Sequence, residues 1–225
     1  MPGDPADELR AQLVSYGARL LADGLAIGAA GNISVRAGDV VAITPSGIDY
    51  HEMQPADICR VRLDGTQLPD DTEEPSSETP MHLAIYAATE ARAVVHTHSP
   101  EVIALSAARD ELPAIHYAIT ALGGPVRVAP YVRFGSAQLA AAAVEALQDR
   151  SAVILRNHGA VSYGRDLAQA YDRALLLEWL ARTYRLALSY GQPATLSAAD
   201  LDEVTAETRR RRYGERGRRR PARGG

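Results

Sequence analysis

Apolar positions along the chain switch between two spacings, and each switch marks a change of element. Leu9, Leu13, Tyr16, Leu20 and Leu21 recur at helical steps, which predicts a helix over residues 7–26. Strand-like runs follow at 33–36, 40–44 and 58–63, separated by glycine, proline and aspartate turn residues. The acidic stretch 70–74 reads as a solvated loop. A helix is expected to begin between Ser77 and Pro80, where serine or threonine can cap it and proline is tolerated, and to reach Ala88. Residues 93–96, 126–129 and 152–155 read as buried strands. Residues 100–109, and an alanine-rich stretch capped by Ser136 and ending near Asp149, read as helices. Over 166–189, Ala170, Ala174, Leu177, Ala181, Tyr184 and Leu188 step by four and three, a seam that must pack on the sheet or on another subunit. Strands interleaved with helices, without internal repeats, predict a mixed α/β domain.

With 225 residues the chain is long enough to bury a real core. The expected organisation is a catalytic domain over 1–205 followed by an arginine-rich tail over 206–225. No apolar run reaches the roughly 20 residues that cross a bilayer, and the acidic start is unlike a secretory leader. The single cysteine, Cys59, offers no disulfide framework, so a cytoplasmic location is expected. The net charge of −4 argues against a globally basic nucleic-acid binder. The arginines at 209–212 and 218–220 are read as a solvated tail rather than a nucleic-acid arm. All 24 basic side chains are arginine. Without a lysine amine there is no Schiff-base chemistry, which excludes lysine-type aldolases, pyridoxal-phosphate enzymes and Walker-A loops.

The candidate chemistry lies in the histidines. His96 and His98 stand at the end of an apolar strand, and residues two apart on a strand point to one face. His158 ends a second apolar strand, 152–155, and precedes Gly159, where backbone can approach closely. If the two strands are neighbours, three imidazoles converge and leave an open position, as in catalytic zinc sites. Such a set suits zinc, cobalt, nickel or iron better than magnesium or calcium. A bare His-x-His also occurs in amidohydrolase barrels, cupins and carbonic anhydrases, but the first need a longer chain and the others are all-β around the metal. Glu78, in Ser76-Ser77-Glu78, alone is an ordinary carboxylate of a first helical turn. Ser76 and Ser77 add hydroxyls beside free helix amides, a ready anion site. The turns Gly31-Asn32 and Ser46-Gly47 are by themselves ordinary turn chemistry.

Taken together, several segments resemble the class II aldolase/adducin family, most of all its ketose-1-phosphate aldolases of the L-fuculose 1-phosphate type. They are Gly31-Asn32-Ile33-Ser34-Val35-Arg36, Ile43-Thr44-Pro45-Ser46-Gly47-Ile48, Ser76-Ser77-Glu78, Val94-Val95-His96-Thr97-His98, Pro113-Ala114-Ile115-His116-Tyr117, Ala129-Pro130-Tyr131 with Phe134-Gly135, and His158-Gly159. The segments keep the family's order over about residues 8–190.

The resemblance implies a single domain with a central, mainly antiparallel sheet flanked by helices, assembled as a homotetramer with sites between subunits. It implies Zn2+, or another divalent ion such as Co2+ or Mn2+, on His96, His98 and His158, with Glu78 as a fourth ligand when substrate is absent. Glu78 would be the acid/base. Asn32, Ser46, Gly47, Ser76 and Ser77 would bind the phosphate of a sugar phosphate, and Phe134 would form a wall. Tyr117 would serve a neighbouring subunit's site, and Tyr213, beside Gly214, would belong to a tail that acts as a mobile lid. The implied reaction splits a ketose 1-phosphate reversibly into dihydroxyacetone phosphate and an aldehyde through a metal-stabilised enediolate. His96-Thr97-His98-Ser99 and Thr79-Pro80 look more like the 4-epimerase branch, which carries aspartate where Glu78 stands and lacks the Ile115-His116-Tyr117 match. Dehydratases and decarboxylases share the frame. A non-catalytic adducin-like role is the alternative from another class, and the retained histidines and Glu78 speak against it.

Overall fold

In the structure, a computed structural model describing residues 5–211, the chain begins with helix α1 (Pro5–Ala22) and the strands β1 (Asn32–Ala37), β2 (Val40–Ile43) and β3 (Cys59–Arg62). Helix α2 (Thr79–Ala88), β4 (Ala93–Thr97), α3 (Pro100–Ala108), β5 (Glu111–Leu112) and a 3-10 turn (Tyr117–Leu122) follow. Then come β6 (Val126–Ala129), α4 (Ala137–Ala146), β7 (Ala152–Leu155), β8 (Gly159–Gly164), α5 (Leu167–Leu188) and α6 (Ala198–Arg211). The strands form one sheet in the order β3-β2-β1-β4-β8-β7-β6-β5, and every pairing is antiparallel except β6 with β7. The expected α/β fold with a mainly antiparallel sheet is present.

Strand β4 is central and wholly buried, and its alternation explains how the layers divide. Ala93 and Val95 pack with Leu13, Leu20, Ala170, Tyr171 and Ala174 of α1 and α5. Val94 points the other way, into the layer of Met81, Ile85, Leu139 and Ala143 from α2 and α4. His96, two residues after Val94, therefore faces α2. The α5 seam packs within the chain: Leu177, Ala181 and Tyr184 continue it onto Val102, Leu112, Val126 and Ile154.

Three local expectations are corrected. Helix α1 stops at Ala22, because Gly24 takes a left-handed φ of 70° and the amides of Leu25 and Ala26 return to the Leu20 carbonyl. The 70–74 stretch is not simply solvated: the Asp71 carboxylate is buried between Arg10 and Arg60, each with an N–O distance of 2.9 Å. Strand β8 has no counterpart among the expected strands. Glycines end it, and Ser162 occupies a core position, where its hydroxyl donates to the Ala170 carbonyl at 2.7 Å. Helix α6 spans the junction between the expected domain, 1–205, and the expected tail, 206–225. Among the described residues no helix is long and apolar enough to cross a membrane.

Candidate active site

Glu78, His96, His98 and His158 meet at one point, their ligand atoms all within 4.8 Å of one another. His96 comes from the centre of the sheet, and His98 lies just past the end of the same strand. His158 sits in the tight turn between β7 and β8, not at a strand end, and β8 rather than β7 pairs with β4. That turn is built by Asn157 at a φ of 53° and by the His158 amide donating to the Leu155 carbonyl. Glu78 is the N-cap residue of α2, but its carboxylate does not cap the helix. It turns instead to the histidines, with Oε2 2.8 Å from His96 Nε2 and Oε1 3.4 Å from His158 Nε2.

The donor set fits a divalent cation. His96 Nδ1 donates to the Ala160 carbonyl at 2.9 Å, which turns Nε2 inward. His98 Nε2 lies 2.9 Å from that nitrogen, and the three rings meet edge-on at centroid distances of 4.8–4.9 Å. Three inward nitrogens and a buried carboxylate oxygen, Oε1, which has no hydrogen-bond partner among the described residues, cannot all be satisfied by protons. A cation at their centre satisfies all of them.

Burial alone would raise the Glu78 carboxyl, but the neighbouring His96 overrides it and holds Glu78 well below the usual carboxylate range. Burial likewise works against a charge on His96, and the Glu78 carboxylate outweighs it, so His96 is raised. His98 is pushed down to about 3 and His158 to about 4, by burial first and then by the charge of His96. His82, fully buried behind the site, is pushed down to about 3 by burial.

These shifts fix the sign of a pH effect on the metal-free protein. An imidazole in the unfolded chain titrates near 6.5, so between about pH 6.5 and 4 the unfolded state binds more protons at His82, His98 and His158. Their stabilising contribution is present above that window and is lost as pH falls through it. His96 has the opposite sign: its contribution is present through and below this window and is lost as pH rises above about 6.5, but it is one group against three. Urea midpoints of the metal-free protein should therefore drop on going from about pH 7 to about pH 5.

The cluster lies at the base of a cleft of about 350 Å³. Asn32, Ser46, Gly47, Ser76 and Ser77 all line it, as do Phe134 and Tyr131. None of the first five carries a charge, so the wall offers amides and hydroxyls only. Strand pairing sets Asn32 directly opposite His96, and its Nδ2 donates to Glu78 Oε2 at 3.1 Å. Gly159 is required by close approach: a Cβ there would lie 2.0 Å from the Thr97 carbonyl oxygen. Gly159→Ala should cost about 2–3 kcal/mol of stability, and the displaced His158 should lower the metal content of the purified protein.

The chain matches the Class II Aldolase and Adducin N-terminal domain model over residues 11–185. It is 39% identical over 198 residues to the 5-deoxy-D-ribulose 1-phosphate aldolase of Bacillus thuringiensis serovar kurstaki, covering 87% of this chain and 92% of that one. Identity to the L-fuculose phosphate aldolase of Escherichia coli K12 is 34% over 203 residues, covering 89% and 94%. A solved L-fuculose 1-phosphate aldolase superposes with a TM-score of 0.86 at 34% identity, covering 90% of this chain and 96% of that one. The chain belongs to the class II aldolase and adducin family.

Within this family member the remaining predicted residues fall in two places. Tyr117 does not line the cleft of its own chain. It stands 57% exposed at the start of the 3-10 turn, stacked on His116, which meets Trp179 edge-on. Tyr213 lies outside the described residues. His82, whose Nε2 lies 2.6 Å from Asn32 Oδ1, is not among the residues predicted from the sequence. The available signal was its place four residues after Glu78, on the same side of α2.

Proposed function

We propose that this chain, a metal-dependent class II aldolase, reversibly cleaves a ketose 1-phosphate with a short deoxy-ended tail to dihydroxyacetone phosphate and a small aldehyde. One observation carries the reading: the three-histidine, one-glutamate cluster shares a cleft with an uncharged wall of amide and hydroxyl donors. Asn32, Ser46, Gly47, Ser76 and Ser77 would bind the phosphate, with the first turn of α2 favouring its charge. In the condensation direction Glu78 takes the proton from the hydroxymethyl carbon of dihydroxyacetone phosphate. Tyr117, supplied by a neighbouring copy of a homotetramer, protonates the aldehyde oxygen; cleavage reverses both transfers. Zinc, held by His96, His98 and His158 with Glu78 as fourth ligand before substrate arrives, would polarise the carbonyl and offset the negative charge that develops there. Phe134 and Tyr131, both exposed in the single chain, would form one wall of the cleft. The deoxy-ended tail is suggested by two relatives, whose names give 5-deoxy-D-ribulose 1-phosphate and L-fuculose phosphate as substrates.

The test is a panel of 5-deoxy-D-ribulose 1-phosphate, L-fuculose 1-phosphate and ribulose 5-phosphate, monitored for triose phosphate and for epimer. Triose phosphate from either 1-phosphate supports the reading and ranks the aldehyde. Epimerisation of the 5-phosphate with no triose phosphate would overturn it.

A further inference from the structure

Behind Glu78 the helix and the central sheet share a buried polar seam, of which the reaction as drawn uses Glu78 and Asn32 and leaves His82, Ser34 and Tyr86 without a role. Asn32 and Ser34 are two apart on β1 and face the same side. Glu78, His82 and Tyr86 are spaced by four along the start and first face of α2. Four helical residues rise about 6 Å and two strand residues about 6.7 Å, so the two rows stay in step. The side chains interleave as Tyr86, Ser34, His82, Asn32, Glu78. Tyr86 Oη lies 2.7 Å from Ser34 Oγ, and Ser34 Oγ lies 2.7 Å from His82 Nδ1. His82 Nε2 is 2.6 Å from Asn32 Oδ1, and Asn32 Nδ2 is 3.1 Å from Glu78 Oε2. Every one of the five is at most 5% exposed.

The directions of these bonds follow from the chemistry of the groups. A carboxylate only accepts, so Asn32 must show Glu78 its amide nitrogen and keep Oδ1 for His82. Oδ1 also only accepts, so His82 carries its proton on Nε2. The imidazole is neutral, burial having pushed it down to about 3, so Nδ1 is a lone pair. Ser34 must then donate to Nδ1, and its oxygen accepts from Tyr86. Each group has one role left to it.

We propose that His82 is a positioning residue for the reaction: held by Ser34 and Tyr86, it locks the Asn32 carboxamide with its amide toward Glu78. The lock occupies Glu78 Oε2 and leaves Oε1, which has no hydrogen-bond partner among the described residues, as the oxygen free to exchange a proton in the cleft. The assignment rests on the reading of Glu78 as the acid/base.

A double-mutant cycle tests it. His82→Phe should lower kcat/KM about 10–100-fold, the usual effect of losing a group that orients a metal-site residue. In an Asn32→Ala background the same change should matter less than about twofold, because the residue through which His82 acts is gone. His82→Gln, which can still present an N–H near that position, should recover much of the loss. Ser34→Ala is the gentler companion if His82→Phe folds poorly, with a smaller loss that also vanishes in the Asn32→Ala background. Crystal structures give a readout apart from turnover: the Asn32 side chain should leave Glu78 in His82→Phe and stay in His82→Gln. Equal losses in both backgrounds, no loss at all, or an Asn32 that stays in place in His82→Phe would each overturn the proposal. A fully active Glu78→Gln protein would remove the acid/base reading and the lock together. An inactive Glu78→Gln protein beside an uncoupled His82 would remove the lock alone.

Discussion

Glu78→Gln should lower kcat by about 10²–10⁴-fold, the range for losing a positioned acid/base, while the protein keeps its fold and its metal. The substitution keeps the volume of a side chain only 5% exposed, so no cavity opens. The glutamine carbonyl can still accept from Asn32 Nδ2, and the three histidines still present their nitrogens. What is lost is the capacity to take and return a proton. Steady-state kinetics, with metal content and melting temperature from the same preparation, separate this from unfolding. Near-normal kcat in a metal-loaded Glu78→Gln protein would remove Glu78 from the chemistry.

His158→Ala should cost about 10³-fold or more in activity, together with most of the bound metal. A cation that stabilises developing charge contributes several kcal/mol, and each 1.36 kcal/mol is a factor of ten in rate. The variant isolates that contribution because the His158 side chain lies at the cleft surface in a turn, only 11% exposed but outside the packed layers. The fold should survive, since the turn is set by Asn157 and by the Leu155–Gly159 pairing rather than by the imidazole. Elemental analysis and activity should fall together. A His158→Ala protein with full metal and full activity would show that His158 is not a ligand.

The parts of this site visible in the sequence are those with a short period. His96 and His98 could be placed together because two residues along a strand return to the same side, and the structure brings the two rings together although His98 lies just past the strand end. The long seam of α5 was visible as steps of four and three, and it packs on the sheet. His158 was harder. Its position depends on β8, whose buried serine and terminal glycines hide the alternation that betrays a strand. A left-handed Asn157 then puts the imidazole in a turn. Asp71 looked solvated because nothing in its neighbourhood announces Arg10, which is far away in the chain. The His82 seam failed to show for a related reason. Its two rows, Asn32 with Ser34 and Glu78 with His82 and Tyr86, each have a clear period, but only the fold brings them together.

The proposed activity is cleavage of a ketose 1-phosphate in this cleft with the help of a bound divalent ion. Its most direct test is dihydroxyacetone phosphate release from 5-deoxy-D-ribulose 1-phosphate and L-fuculose 1-phosphate by protein of known metal content, before and after chelation. Release that is lost on chelation and restored by zinc, cobalt or manganese is the predicted result. Metal-loaded protein that releases no triose phosphate from either sugar, or release indifferent to chelation and to metal content, would contradict it.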